Sequence, residues 1–144
     1  MQAFRFRLER VLAWHRKQAQ LEESRLIPRM AQVDRVQNEI AGLKAERLMI
    51  EHGVVAGAII DAQDFAALGF YRLRATAKEL ELEVELERRQ KDVRDQMEIL
   101  KAAQRRVRLV EKLRERRAGE HAYLADRELE AVAAAAHLAN WSKD

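Results

Sequence analysis

The chain has 144 residues, of which 35% are charged and only 6% aromatic, with five Gly, one Pro and no Cys. So few turn residues and aromatics argue against a globular domain with a thick core, and the lack of Cys excludes disulfides and thiolate metal sites. Strong helix formers dominate, and the apolar residues among them are better suited to a narrow seam between helices. The composition therefore predicts a coiled coil.

The formal net charge of +3 hides blocks of opposite sign in the second half of the chain. Residues 79–87 hold five Glu and no base. Residues 88–117 hold 12 Lys or Arg against five Asp or Glu, a net charge of +7, and residues 118–144 hold two bases against five acids, a net charge of −3. Such a concentrated basic block is a candidate contact surface.

The sequence pattern indicates neither a membrane-spanning helix nor a signal peptide. No apolar run approaches the roughly 18 residues that a membrane span needs. The N-terminus, MQAFRFRLER, is too charged to lead into the apolar core of a signal peptide. We therefore expect a soluble cytoplasmic protein.

A first helix is predicted over residues 4 to about 52, because apolar residues recur every seven positions, a spacing that favours a left-handed supercoil. Pro28 lies inside it and should kink the helix near Leu26 without breaking it. Polar residues (His15, Glu22 and Arg29) occupy the expected second row of the seam. The apolar residues of the pattern are Leu12, Ala19, Leu26, Val33 and Ile40, joined later by Val36, Leu43 and Ile50.

The chain is expected to reverse over residues 53–61, because Gly53 and Gly57 can adopt turn conformations at little steric cost. Asp61 is the predicted N-cap of a second helix. An apolar group near this tip is predicted to form from Phe65, Leu68, Phe70 and Tyr71.

The second helix is predicted over residues 62 to about 139. Strict alternation in ELELEVELE (residues 79–87) would suit a strand, but Glu and Leu are poor strand formers and helical pattern flanks them on both sides. The predicted seam row is Leu73, Leu80, Leu86, Val93, Leu100 and Val107.

These elements predict an all-α fold: a single domain over residues 1–144 that forms a long antiparallel two-helix coiled coil. With the tip centred near residue 57, facing residues have numbers that sum to roughly 114, so Leu8 should face the region of Arg106. The second helix then overhangs the first by about 30 residues. The arginines of the N-terminus lie beside the basic block, which makes this end of the hairpin doubly basic.

A catalytic site is not indicated. The four His residues are far apart in sequence, and neither a metal-binding motif nor a phosphate-binding glycine loop occurs. The neighbours Glu120 and His121 are interpreted as a solvent-facing pair. We expect no enzyme activity, no catalytic residue, no metal and no cofactor.

Three segments carry a family resemblance. Residues 4–12, FRFRLERVL, resemble the F-x-F-x-L-x-x-V/L-L start of the FliJ family, small coiled-coil proteins of the flagellar type III export apparatus. Residues 61–73, which begin DAQDF, are similar to the family's second-helix start. Residues 106–117, RVRLVEKLRERR, look like its closing signature. Pro28 and the Ala-rich tail with Trp141 depart from the family's pattern.

This resemblance implies a cytoplasmic coiled coil, similar to the central stalk of rotary ATPases, that inserts into the hexameric flagellar export ATPase and promotes its assembly or activity. It further implies contact with the cytoplasmic domain of the export gate and with export chaperones. Association with the membrane-embedded apparatus would be peripheral, through protein partners, without a membrane span and without nucleic acid.

Two surfaces follow from combining the resemblance with the charge pattern. The tip residues Phe65, Leu68, Phe70 and Tyr71 are predicted to bind the export gate. The basic end is predicted to bind the ATPase through Phe4, Arg5, Phe6, Arg7, Arg10, Arg105, Arg106, Arg108, Lys112, Leu113, Arg114, Arg116 and Arg117.

Alternatives from other classes remain open. One is a coiled coil that binds nucleic acid through counterion release from phosphates. Another is a structural coiled coil that self-associates weakly through the overhang. The charged face of residues 88–117 is also compatible with a solvated helix surface that has no partner.

Overall fold

The computed structural model describes residues 1–56 and 61–142. They form two α-helices, α1 (Glu9–Ala56) and α2 (Ala62–Trp141), which pack against each other as an antiparallel hairpin. The predicted all-α, two-helix fold is confirmed, and ELELEVELE is helical. Across the described ranges, neither helix contains a stretch long and apolar enough to cross a membrane.

The first helix begins at Glu9, so the predicted start near residue 4 is wrong. Its first backbone hydrogen bond joins the Leu12 N–H to the Leu8 carbonyl at 2.9 Å. In the preceding non-helical segment, Phe4 and Phe6 are half-buried while Arg5 is exposed. This alternation has a period of two, which suits a segment lying along a neighbouring helix better than a helical turn.

The reversal of the chain is shorter than predicted, because α1 continues through Gly53 to Ala56. Residues 57–60, which include Gly57, lie outside the described residues. Asp61 directly precedes α2, and its carbonyl accepts a hydrogen bond from the Phe65 N–H at 3.1 Å. Asp61 therefore occupies the predicted N-cap position.

Pro28 lies inside α1 without interrupting it, which confirms that the proline does not break the helix. Next to Pro28, a side chain adds a hydrogen bond to the helix backbone: the Arg29 guanidinium donates to the Arg25 carbonyl at 2.9 Å. The kink near Leu26 stays a prediction.

Contacts divide the hairpin into a tip unit, residues 22–99, and a terminal unit, residues 1–21 with 100–144. The tip unit has an apolar core of Val36, Ile40 and Leu82, against which Leu43 and Leu86 pack.

One buried residue of the tip unit is polar. Gln96 is only 4% exposed. Its amide nitrogen donates to the Glu22 carbonyl at 3.0 Å and to the Glu22 carboxylate at 2.6 Å. Both amide hydrogens are thereby used, which removes the cost of burying them. The polar second row predicted for the start of α1 thus has a partner on α2.

The register differs from the prediction in both units. In the tip unit, residue numbers of paired side chains sum to between 118, for Glu22 with Gln96, and 126, for Arg47 with Glu79. In the terminal unit they sum to 123 for Glu9 with Arg114. The predicted sum near 114 is wrong because α1 runs to Ala56, which moves the reversal toward higher residue numbers.

The seam of α2 also begins on other residues than predicted. Leu73 and Leu80 are exposed, whereas Leu68, Ala75 and Leu82 are buried at intervals of seven. This row continues through polar residues, Arg89 and Gln96, which hid it in the sequence. The later members of the predicted row, Leu86, Val93, Leu100 and Val107, are half-buried as expected.

Two leucines of ELELEVELE test this seam. Leu82 is 7% exposed and Leu80 is 58% exposed, so Leu82→Ala should lower the free energy of unfolding by about 2–5 kcal/mol. Leu80→Ala is the matched control and should change it by less than about 0.5 kcal/mol. Urea unfolding followed by far-ultraviolet circular dichroism measures both. Equal losses would contradict the seam described.

Candidate functional site

The terminal unit gathers positive charge from both ends of the sequence. Residues 1–21 and 100–117 together hold 13 Lys or Arg against three Glu, a net charge of +10. These segments are far apart in the chain, and the antiparallel packing of α1 and α2 brings them side by side. The net charge of the combined surface is larger than that of either segment alone.

The non-helical N-terminal segment is held on α2 by His121. Nε2 of His121 lies 3.0 Å from the Gln2 carbonyl, which accepts its hydrogen bond. The Phe4 and His121 ring centroids are 5.6 Å apart, with the ring planes inclined by 58°. The interpretation of Glu120 and His121 as a solvent-facing pair is therefore wrong for His121, whose partners only the correct register could have indicated.

Ion pairs between the helices fix the basic end and use some of its cations. Arg114 Nε donates to Glu9 Oε2 at 3.0 Å, and Arg16 Nη2 donates to Glu111 Oε1 at 3.0 Å. Exposed pairs of this kind stabilise a fold by no more than about 1 kcal/mol each. Their larger effect is local neutralisation, so Arg114 offers little charge to a partner.

Two more of the predicted cations share one carboxylate. Arg116 and Arg117 lie 3.3 Å and 3.1 Å from the two Glu120 oxygens. The predicted ATPase-binding cations thus fall into two groups, and three of them are already paired inside the terminal unit.

The remaining seven are exposed and form no ion pair with another residue of the described ranges. Three of them, Arg105, Arg108 and Lys112, follow one another at steps of three and four, so they share one face of α2. Ala103 and Val107 of the seam lie on the other side of the helix. We call these three cations the outer stripe. The full set is Arg5, Arg7, Arg10, Arg105, Arg106, Arg108 and Lys112.

An apolar groove of about 650 Å³ lies beside these cations, where the N-terminal segment crosses α2. The predicted residues Phe4, Phe6 and Leu113 line it, together with Leu8 and Leu124, which sequence reasoning missed. Arginines form part of its wall, so it combines apolar surface with positive charge. The cations of the wall are Arg5, Arg7 and Arg117.

The four predicted tip residues do not form one cluster. Leu68 is buried, Phe65 and Phe70 are exposed, and Tyr71 is half-buried. The Tyr71 hydroxyl is buried and has no hydrogen-bond partner in the part of the chain that the structure describes. Desolvation by burial raises the pKa of Tyr71. Phe70 and Tyr71 line a groove with Leu43 and Ala75.

A carboxylate near the tip links hairpin stability to pH. Arg72 donates to Glu51 at 2.9 Å and Arg47 donates to it at 3.4 Å, and the hydrogen bond from Arg72 is the main cause that lowers the pKa of Glu51 below 4.5. A carboxylate whose pKa is lower in the folded chain contributes stability above its unfolded pKa. This contribution is lost as the pH falls through the folded pKa.

We therefore expect the unfolding midpoint in urea to fall as the pH is lowered from 6 to below the ordinary Glu pKa of 4.5. Glu51→Gln should reduce that dependence, because the amide cannot titrate. Glu83→Gln is the matched control, since Glu83 is exposed and makes no ion pair with a described residue. A pH dependence that Glu51→Gln leaves unchanged would contradict the assignment.

Neither a metal centre nor a known relative provides a further guide to the site. Within the described residues, no group of three or more His, Cys, Asp or Glu is arranged to hold a metal ion. Comparison of the chain with protein-family models, with curated proteins and with solved structures finds no match.

Proposed function

We propose that this chain is a FliJ-like component of the flagellar type III protein export apparatus. In this proposal it is a cytoplasmic coiled-coil stalk whose terminal unit inserts into the hexameric export ATPase and promotes its assembly or activity. It also connects the ATPase to the export gate and to export chaperones.

The observation that carries the proposal is the meeting of the two end motifs. The segments that resemble the start and the closing signature of the FliJ family, residues 4–12 and 106–117, contact each other in the terminal unit. Leu8 and Leu113 line the same groove, and Glu9 pairs with Arg114 at 3.0 Å. Two motifs distant in sequence thus belong to one surface, as expected if both serve the same partner.

The charge of this surface supports an acidic partner. The outer stripe is exposed and unpaired within the described chain, so its field is not neutralised locally. Charges of this kind accelerate association with an oppositely charged surface and make it depend on salt. An acidic lining of the ATPase ring fits this requirement, and the apolar groove of the same unit, with Arg5 and Arg7 in its wall, offers a place for a buried anchor.

Charge reversal of two cations of the outer stripe and of the neighbouring Arg106 tests the ATPase contact. With Arg105, Arg106 and Arg108 changed to Glu, stimulation of the cognate ATPase should fall at least tenfold, because an attractive surface becomes repulsive. The matched control reverses three exposed cations of the tip unit, Arg35, Arg74 and Lys91, and should retain stimulation. ATP hydrolysis at fixed salt measures both.

Stimulation that the first triple variant leaves intact would contradict the assignment of the basic end. The charge of +10 on residues 1–21 and 100–117 also favours a second candidate, binding to nucleic acid. Affinity for DNA or RNA that persists at physiological salt, without any effect on the ATPase, would favour that candidate.

A second partner is proposed at the tip, where the export gate would bind. Phe70 is 70% exposed beside the half-buried Tyr71, so a bound protein would cover the Phe70 ring. Leu68 is buried and would act only by supporting the fold.

Truncation of the exposed ring tests this contact. Phe70→Ala should weaken binding to the cytoplasmic domain of the export gate by about tenfold or more, the usual effect of removing an aromatic anchor. Leu80→Ala, which truncates an exposed side chain about three turns farther along α2, should leave the affinity unchanged. Titration calorimetry measures the dissociation constants, and equal affinities for the Phe70 variant and the natural chain would rule the contact out.

A further inference from the structure

The C-terminal part of α2 extends beyond its cover in the terminal unit. Ala118, His121 and Ala125 are half-buried, and they are spaced like a helical seam. Every residue from Asp126 to Ser142 is exposed, although α2 continues to Trp141. A helical segment of this length receives little support from propensity alone, so packing against another surface would stabilise it.

This segment carries a complete but uncovered seam. After Ala125, the residues Leu129, Val132, Ala136 and Ala139 follow at steps of four, three, four and three, which is the spacing of a coiled-coil seam. Leu129 is 67% exposed and Val132 is 63% exposed. The seam continues the line of half-buried residues on which α2 packs within the hairpin, so its spacing suits another helix.

Small side chains fix how close that helix can come. Three of the five seam residues are Ala, which lets two helix backbones approach closely and costs no side-chain entropy on burial. The seam therefore suits a second helix of similarly small residues, and the chain contains such a helix in this same segment.

The distribution of charge decides the direction of pairing. The first half of the segment holds three acids, Asp126, Glu128 and Glu130, against one base, Arg127, whereas residues 131–142 carry no Asp, Glu, Lys or Arg. Parallel pairing in register would bring the acids of two copies together, which is unfavourable. Antiparallel pairing places the acids of each copy opposite the uncharged half of the other.

We propose that the seam of α2, residues 125–136, pairs antiparallel with the same segment of a second copy of this chain. Leu129 of one copy lies opposite Val132 of the other, and Ala125 lies opposite Ala136. The pairing is symmetric, so each copy contributes the same surface. It uses a different part of the terminal unit from the outer stripe and does not depend on the proposed function.

The mass of the full chain in solution tests the pairing. The area is small, so the dimer is weak, and the mass should rise from 16.7 kDa toward twice that value between about 10 μM and about 1 mM. Val132→Glu should raise the dissociation constant at least tenfold, since it buries a charge at the symmetric centre. Ala134→Glu adds the same charge on the opposite side of the helix and should leave the mass profile unchanged.

Disulfide trapping tests the direction, because the natural chain contains no Cys. A mixture of the Ala125→Cys and Ala136→Cys variants, whose new side chains face each other in the seam, should form a disulfide-linked dimer on mild oxidation, whereas either variant alone should stay mostly unlinked. Efficient linking of Ala125→Cys with itself would indicate parallel pairing and overturn the proposal. A mass that remains that of one chain throughout the concentration range would also overturn it.

Discussion

The structure depends on the narrow seam between α1 and α2. The seam buries few side chains, so each position contributes strongly to the choice of alignment. Gln96 is buried in this seam, and its amide nitrogen donates to the carbonyl and the carboxylate of Glu22. A slipped alignment would leave a buried amide without a partner, which costs more than the hydrogen bond contributes. We infer that this polar pair specifies the register, while Val36, Ile40 and Leu82 form the apolar core of the tip unit.

The seam also decides which charges remain available at the terminal unit. Side chains near the contact between the helices, such as Arg16 and Arg114, are drawn into ion pairs with Glu111 and Glu9. The outer stripe lies away from the seam and keeps its charge for a partner. Helix packing therefore determines the proposed ATPase surface. It neutralises the arginines near the seam, such as Arg16 and Arg114, and leaves the cations of the outer stripe exposed.

The unequal lengths of the helices give one unit two kinds of surface. Where the N-terminal segment crosses α2, the terminal unit is basic and has an apolar groove. Farther along α2 the charge changes sign and the seam is uncovered. A charged surface and a small-residue seam recognise different partners, because one acts at long range and the other only in close contact. The ATPase proposal and the self-pairing proposal therefore concern separate parts of the molecule.

The sequence by itself determined the helical class, the two long helices, the seam of α1 and the positions of the charge blocks, because these follow from propensity and periodicity within neighbouring residues. Only the tertiary structure decided the register, the burial of Leu82 rather than Leu80, and the contact of His121 with Gln2. A seven-residue repeat offers apolar partners at several alignments, so local pattern cannot choose among them. The choice depends on where the chain reverses and on polar contacts such as Gln96 with Glu22, which join residues distant in sequence. For the same reason, the separation of paired from unpaired arginines could not be predicted from the basic run itself.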